Sequence, residues 1–198
     1  MPASTHAAVR TPRQDNRRAQ LLDAAARLFR ERGYHATSMR DIAKAAGMLS
    51  GSIYYHFESK EEMLLAVYEE GARRFGEAVD AATARENKPW VRLQVACAAH
   101  LRAMTAFRDY TQVMIRTSPD EAGQVGPRLR ELRGEYESRF RRLIDELTLP
   151  AHVDRRYLRL FLIGGLNWSQ VWYHPNGDSP EMVARRFLDA LRCQLDIS

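Results

Sequence analysis

The chain has 198 residues, 45% of them hydrophobic, and a formal net charge of +5. That apolar content builds a packed core and excludes a disordered chain, and no apolar run reaches the ~18 residues of a membrane-spanning helix. Residues 1–60 hold ten Lys/Arg against five Asp/Glu, whereas residues 61–198 hold twenty of each, so the whole excess sits in the first third. A basic module joined to a neutral one points to a polyanion as partner of the first part. An incidental surplus on a solvated face accounts for the charge equally well.

The first residues, 1–14, are polar, carry Pro2 and Pro12, and are expected to form a flexible basic arm. They lack the apolar stretch of a secretory signal, so a cytoplasmic protein is expected. From Asn16 to Arg32, Leu21, Leu22, Ala25, Leu28 and Phe29 fall on one helical face. Gly33 suits a left-handed C-terminal cap. Ser38 then caps a second helix, with Asp41 three residues on as a shortened capping box, and this helix stops at Gly47. Residues 50–56 read as a short third helix. Ser59 caps a long fourth one, whose apolar stripe runs through Leu64, Val67, Gly71, Phe75, Ala78 and Ala82.

Pro89 suits the first turn of a fifth helix, with a single stripe Leu93, Cys97, His100, Met104, Phe107, Thr111 and Met114. Pro119 ends it, and a loop with Gly123, Gly126 and Pro127 follows. Leu129, Leu132, Tyr136, Phe140, Leu143 and Leu147 mark the next helix, closed by Pro150. A further helix is expected from Val153 to Tyr173. The last is capped by Ser179 with Pro180 at its first position, and its apolar side carries Val183, Phe187 and Leu191. The fold class is therefore all-α, with about nine helices. Cys97 and Cys193 sit among apolar helical neighbours and read as small, reduced core residues.

Residues 38–56 form a helix, a tight glycine-containing turn and a second short helix, which is the helix-turn-helix pattern. In such a unit the second helix enters the major groove, N-terminal end first. Here that end is Leu49, Ser50, Gly51 and Ser52, small enough after Leu49 for a close backbone approach. Tyr54, Tyr55 and His56 supply donors for phosphates, and Lys60 adds a charge beside a helix N-terminus. Lys44, on the preceding helix, adds a further cation to the candidate DNA contacts.

The stretch Gly33-Tyr34 … Thr37-Ser38-Met39-Arg40-Asp41-Ile42-Ala43 … Ala46-Gly47 … Gly51-Ser52-Ile53-Tyr54-Tyr55-His56-Phe57 … Ser59-Lys60-Glu61-Glu62-Met63-Leu64 resembles the TetR family of transcriptional regulators. The resemblance implies a three-helix DNA-binding domain over 15–60 and a helical domain over 61–198 that dimerises and holds an effector. It also implies roles. Ser38 and Met39 would touch phosphate, and Arg40 would read a guanine. Ser50, Gly51 and Ser52 would face bases, while Tyr54, Tyr55, His56 and Lys60 would anchor phosphates.

The rest of the chain carries no catalytic constellation and no metal-ligand spacing, and its six histidines are scattered. No enzyme activity, metal or cofactor is expected. Two glycines, Gly164 and Gly165, sit inside a helical stretch at a cost of about 1 kcal/mol each relative to Ala. They suggest a close helix approach, expected from the equivalent helix of a second subunit, so that the last two helices build a homodimer. Asn167-Trp168 and Trp172-Tyr173 before a Pro-Asn-Gly turn resemble a TetR subgroup that responds to acyl-CoA thioesters in lipid or steroid catabolism.

The candidate effector residues are His100, Met104, Phe107, Met114, Tyr136, Phe140, Asn167, Trp168 and Trp172, for which plain core is the competing reading. Arg108, Arg139 and Arg142 are candidates for CoA phosphates, although solvated helix faces explain them as well. The chain thus reads as a ligand-responsive regulator, a repressor, that binds a palindromic double-stranded operator as a dimer and is released by a small hydrophobic effector. The alternative effector is a free aromatic or lipophilic molecule controlling an efflux or detoxification gene. A sequence-tolerant DNA-packaging protein and a helical enzyme are remote alternatives.

Overall fold

In a computed structural model, which describes residues 12–174 and 176–195, the chain is all-helical. Eight α-helices run α1 Pro12–Arg32, α2 Met39–Ala45, α3 Lys60–Thr83, α4 Pro89–Ala106, α5 Arg108–Arg116, α6 Gly126–Asp145, α7 Arg155–Trp172 and α8 Pro180–Gln194. A 3₁₀ turn, Ser52–Tyr55, stands where the third helix was expected, and a second, Gly123–Val125, precedes α6. The expected arm lies outside the described residues up to Thr11, and α1 begins at Pro12, so residues 12–14 are helical.

The local signals act as the residues dictate. Ser38 accepts from the Asp41 amide while the Asp41 carboxylate accepts from the Ser38 amide, a complete capping box with Asp in place of Glu. Ser59 and Ser179 cap α3 and α8 by accepting from the Glu62 and Met182 amides, without the reciprocal bond. Asp154, one residue beyond the expected start at Val153, caps α7. Gly47 sits at φ +69°, a left-handed conformation that lets the chain turn sharply out of α2.

Two expectations fail for physical reasons. The stripe from Leu93 to Met114 is not one helix, because Phe107 leaves helical geometry (φ −111°, ψ 42°) and divides α4 from α5. The Thr111 hydroxyl, hydrogen-bonded to the Met104 and Phe107 carbonyls, satisfies the backbone at the break. Cys193 is exposed on α8, whereas Cys97 is fully buried, its thiol pushed up by burial; both are free.

α3 is the spine of the molecule. Its first half, Met63 to Tyr68, packs with α1, α2 and the 3₁₀ turn, joined by Tyr110 and Val113 of α5 and Leu129 and Leu132 of α6. Its second half, with Phe75 and Val79, packs into another cluster with α4, α6, α7 and α8.

Candidate DNA interface and effector cavity

At one end of the molecule, α2 and the 3₁₀ turn present a continuous polar and aromatic surface. Ile42, Ala43, Ile53 and Phe57 are buried beneath it. Leu49, Ser50, Gly51, Tyr54 and Tyr55 face solvent, Tyr55 at 91% exposure. Arg40 and Lys44 stand exposed on α2, without an ion-pair partner among the described residues. A basic, aromatic edge of this kind suits phosphates on either side of a groove.

Several sequence-predicted contacts are occupied otherwise. Met39 is buried, because the position after the cap turns into the motif core, so its side chain does not reach a phosphate. The Ser38 hydroxyl is engaged in the capping box. The Ser52 hydroxyl donates to the Leu49 carbonyl at 2.8 Å and tightens the turn. Lys60 donates to the Tyr34 and His35 carbonyls at 3.0 and 3.3 Å and lies 4.5 Å from the Tyr34 ring centroid. It therefore ties the loop after α1 to the start of α3. His56, half-buried, caps the end of the 3₁₀ turn.

The second site is a cavity of about 270 Å³ between α3, α4, α5, α6 and α7. It gathers His100, Met104, Met114, Tyr136 and Asn167 from the expected set, together with Tyr68, Phe75, Thr111 and Ile163. Arg133 and Glu137, one helical turn apart on α6, also line it, and Glu137 pairs with Arg159 of α7 at 3.2 Å. Of these additions Phe75 and Thr111 were legible as stripe positions, whereas Tyr68, Arg133 and Glu137 carried no signal. Ile163 alone had a direct signal, since it lies one turn before Asn167 on α7.

The remaining expected residues lie elsewhere. Phe140 is fully buried, its ring perpendicular to His100 at 6.0 Å, and supports the ring from behind. Phe107 sits at the helix break under Arg74, 6.4 Å from Phe75. Trp168 and Trp172 are 62% and 38% exposed. Each residue turns an α-helix by about 100°, which carries Trp168 off the face that points Asn167 inward. Arg139 is held by Asp80 at 3.0 Å and, like Arg142, lines a recess away from the cavity. Gly165 approaches Phe187 of its own α8, which a Cβ would meet at 3.2 Å, whereas Gly164 has open space beside it. The close approach at Gly165 is thus to α8 of the same chain.

His100 is the chemical centre of the cavity. Its Nδ1 lies 2.6 Å from the Tyr136 hydroxyl, and its Nε2 is buried without a hydrogen-bond partner. Burial pushes its pKa down to about 4, with the neighbouring Asn167 amide opposing, so the ring is neutral near pH 7. Burial likewise raises the Tyr136 phenol, which stays protonated. The Tyr136 hydroxyl and Nδ1 share one hydrogen bond whose direction follows the ring tautomer; with the phenol donating, the ring proton sits on Nε2. In that tautomer the Nε2–H faces a cavity with mostly apolar walls, Asn167 beside it.

Family models match both parts of the chain: "Bacterial regulatory proteins, tetR family" over residues 21–67, and "Tetracyclin repressor-like, C-terminal domain" over residues 86–195. The chain belongs to the TetR family. Among its relatives is the transcriptional repressor KstR2 of Mycobacterium tuberculosis, 33% identical over 190 residues that span 88% of this chain and 90% of that protein. KstR2 of Rhodococcus jostii is 61% identical over 54 residues, about a quarter of each chain.

The solved structure of the ketosteroid transcriptional regulator KstR2 of M. tuberculosis superposes with a TM-score of 0.74 at 26% identity, covering 90% of this chain and 94% of that one. AibR in complex with isovaleryl coenzyme A and operator DNA shares the fold, with a TM-score of 0.76 at 23% identity and coverage of 88% and 97%. Proteins of this family are DNA-binding regulators and not enzymes, and this TetR-family chain is a regulator in the same sense.

Proposed function

We propose that this TetR-family regulator is a cytoplasmic repressor that binds an inverted-repeat operator as a homodimer and is released by an acyl-CoA thioester. The observation that carries the effector part is the unpartnered Nε2–H of His100 inside an apolar cavity. A buried donor without an acceptor costs about 1–3 kcal/mol, which a ligand carbonyl accepting from it recovers. Mostly apolar walls with a few polar groups, His100 among them, suit an acyl or steroid body that carries a carbonyl. The likeness to KstR2, and the coenzyme A thioester bound by AibR, support the same class. The division into a DNA-reading unit over 15–60 and an effector unit over 61–198 belongs to this reading.

The DNA contacts fall to Arg40, Lys44, Leu49, Ser50, Gly51, Tyr54, Tyr55 and His56, with Met39 and Lys60 offering the backbone amides of the helix starts and Ser38 and Ser52 supporting the motif. In a dimer the two recognition turns stand ~34–36 Å apart, one helical turn of DNA. The dimer interface falls to α7 and α8. Tyr157, Leu160, Phe161, Trp168 and Trp172 form an exposed apolar stripe along α7, with Met182 exposed on α8. Exposed apolar patches of this extent mark association surfaces.

The test is operator release, followed by fluorescence anisotropy, with a panel of acyl-CoAs, their free acids and unrelated lipophiles. Release by thioesters at the lowest concentrations is expected. Release by free acids or lipophiles at lower concentrations would assign the cavity to a free hydrophobic molecule.

A further inference from the structure

A surface groove of about 560 Å³ lies between the C-terminal end of α1 and helices α5 and α7. Three arginines line it: Arg30 from α1, and Arg108 and Arg116 from α5, against a single acid, Glu31. Arg30 is held by Asp109 at 2.8 Å and by Glu31 at 2.9 Å. Arg108 and Arg116 are exposed and have no hydrogen-bond or ion-pair partner among the described residues. Arg108 is the first residue of α5, where the helix dipole disfavours a cation, so its position is not explained by helix stability. With Gln112 between them, Arg108 and Arg116 repeat at four-residue spacing and share one face of α5.

Two features join this groove to the cavity. Ile115 lines both recesses. On α7, Asn167 faces the cavity while Gln170, one turn on, faces the groove, its carbonyl accepting from the Gln112 amide at 2.6 Å. A single ligand with an apolar body and a polar arm can therefore lie across Ile115, body inward and arm outward.

We propose that the groove formed by Arg108, Arg116 and Arg30 binds the phosphate-bearing nucleotide arm of the effector, and that this arm couples the effector to α1. The proposal rests on the thioester reading above and adds the site of the phosphates and its consequence. Guanidinium groups bind phosphate through paired N–H donors, and unpartnered ones give up no existing ion pair. Because α1 belongs to the DNA-reading cluster, a ligand that bridges α1 to α5 and α7 favours one placement of that unit over another. Only such differential contact shifts the equilibrium.

The double variant Arg108→Ala/Arg116→Ala tests the assignment. Operator release is titrated with the most effective acyl-CoA and with the same acyl group on pantetheine, which lacks the nucleotide and its phosphates. For the wild type the CoA thioester is expected to act at a concentration lower by ~10-fold or more, since a hydrogen bond to a charged group contributes about that factor. In the variant that advantage shrinks to near unity, acyl-pantetheine acts as on the wild type, and ligand-free operator affinity is unchanged. Binding of coenzyme A alone, by calorimetry, weakens in parallel.

A variant that keeps the full CoA advantage would overturn the proposal. So would one whose ligand-free operator affinity falls, because the arginines would then hold DNA phosphates. If no thioester releases the operator from the wild type, the effector reading itself fails, a result distinct from either.

Discussion

His100 is a histidine whose protonation is set by the fold. Burial depresses its pKa to about 4 from 6.5, so between those values the unfolded chain binds the proton more readily than the folded one. Stability is then lost as pH falls through that window and levels off below it. Between pH 7 and pH 5 the loss amounts to about 2 kcal/mol. Thermal melting should show it as a falling midpoint that His100→Gln flattens; parallel slopes in the two proteins would mean that the ring is not buried neutral. The sequence placed His100 and Tyr136 each in an apolar helical stripe, and their pairing appears only in the fold. The cavity places of Trp168 and Trp172 were not legible, because an aromatic on a helix marks burial equally well against a ligand, a core or another chain, and here the side chains point outward.

Short elements depend on their ends. α2 has seven residues, far below the ~12–15 at which an isolated helix persists, and its N-terminus rests on the Ser38–Asp41 capping box. Ser38→Ala should cost ~1 kcal/mol, measured by denaturant unfolding, and should weaken operator binding through poorer placement of Arg40 and Lys44. A shift below a few tenths would mean that packing alone fixes α2. Caps of this kind made most of the helices readable: Ser38, Ser59, Pro89 and Ser179 each stand at an observed start. The break at Phe107 was not readable, since neither Gly nor Pro marks it. It arises from packing, with Phe107 under Arg74 and Thr111 bonded back to Met104. The recognition element was legible in place but not in kind, because only four residues form it and their hydrogen bonds close as a 3₁₀ turn.

For the whole molecule, the exposed stripe on α7 separates association from folding. Phe161→Glu/Trp168→Glu alters side chains that are 72% and 62% exposed, so helicity should be kept while light scattering reports a monomer. Operator affinity should drop by ~100-fold or more as the two half-sites lose their linkage; a dimer that survives would place the interface elsewhere. Gly165→Leu acts differently. It drives a side chain into Phe187 of the same chain and should lower stability by ~1–3 kcal/mol, a loss seen in melting rather than in mass. The course of α3 has a thermodynamic consequence as well. The cluster under the DNA-reading surface is closed by Tyr110, Val113, Leu129 and Leu132, which arrive from α5 and α6, and by Ala122 between them. A fragment ending near residue 60 would leave that apolar surface in water and should stay largely unfolded in circular dichroism. The full chain, whose two clusters share one unbroken helix, should absorb heat in a single cooperative transition, with calorimetric and van't Hoff enthalpies equal per cooperative unit. Two resolved heat peaks would show that the halves melt independently.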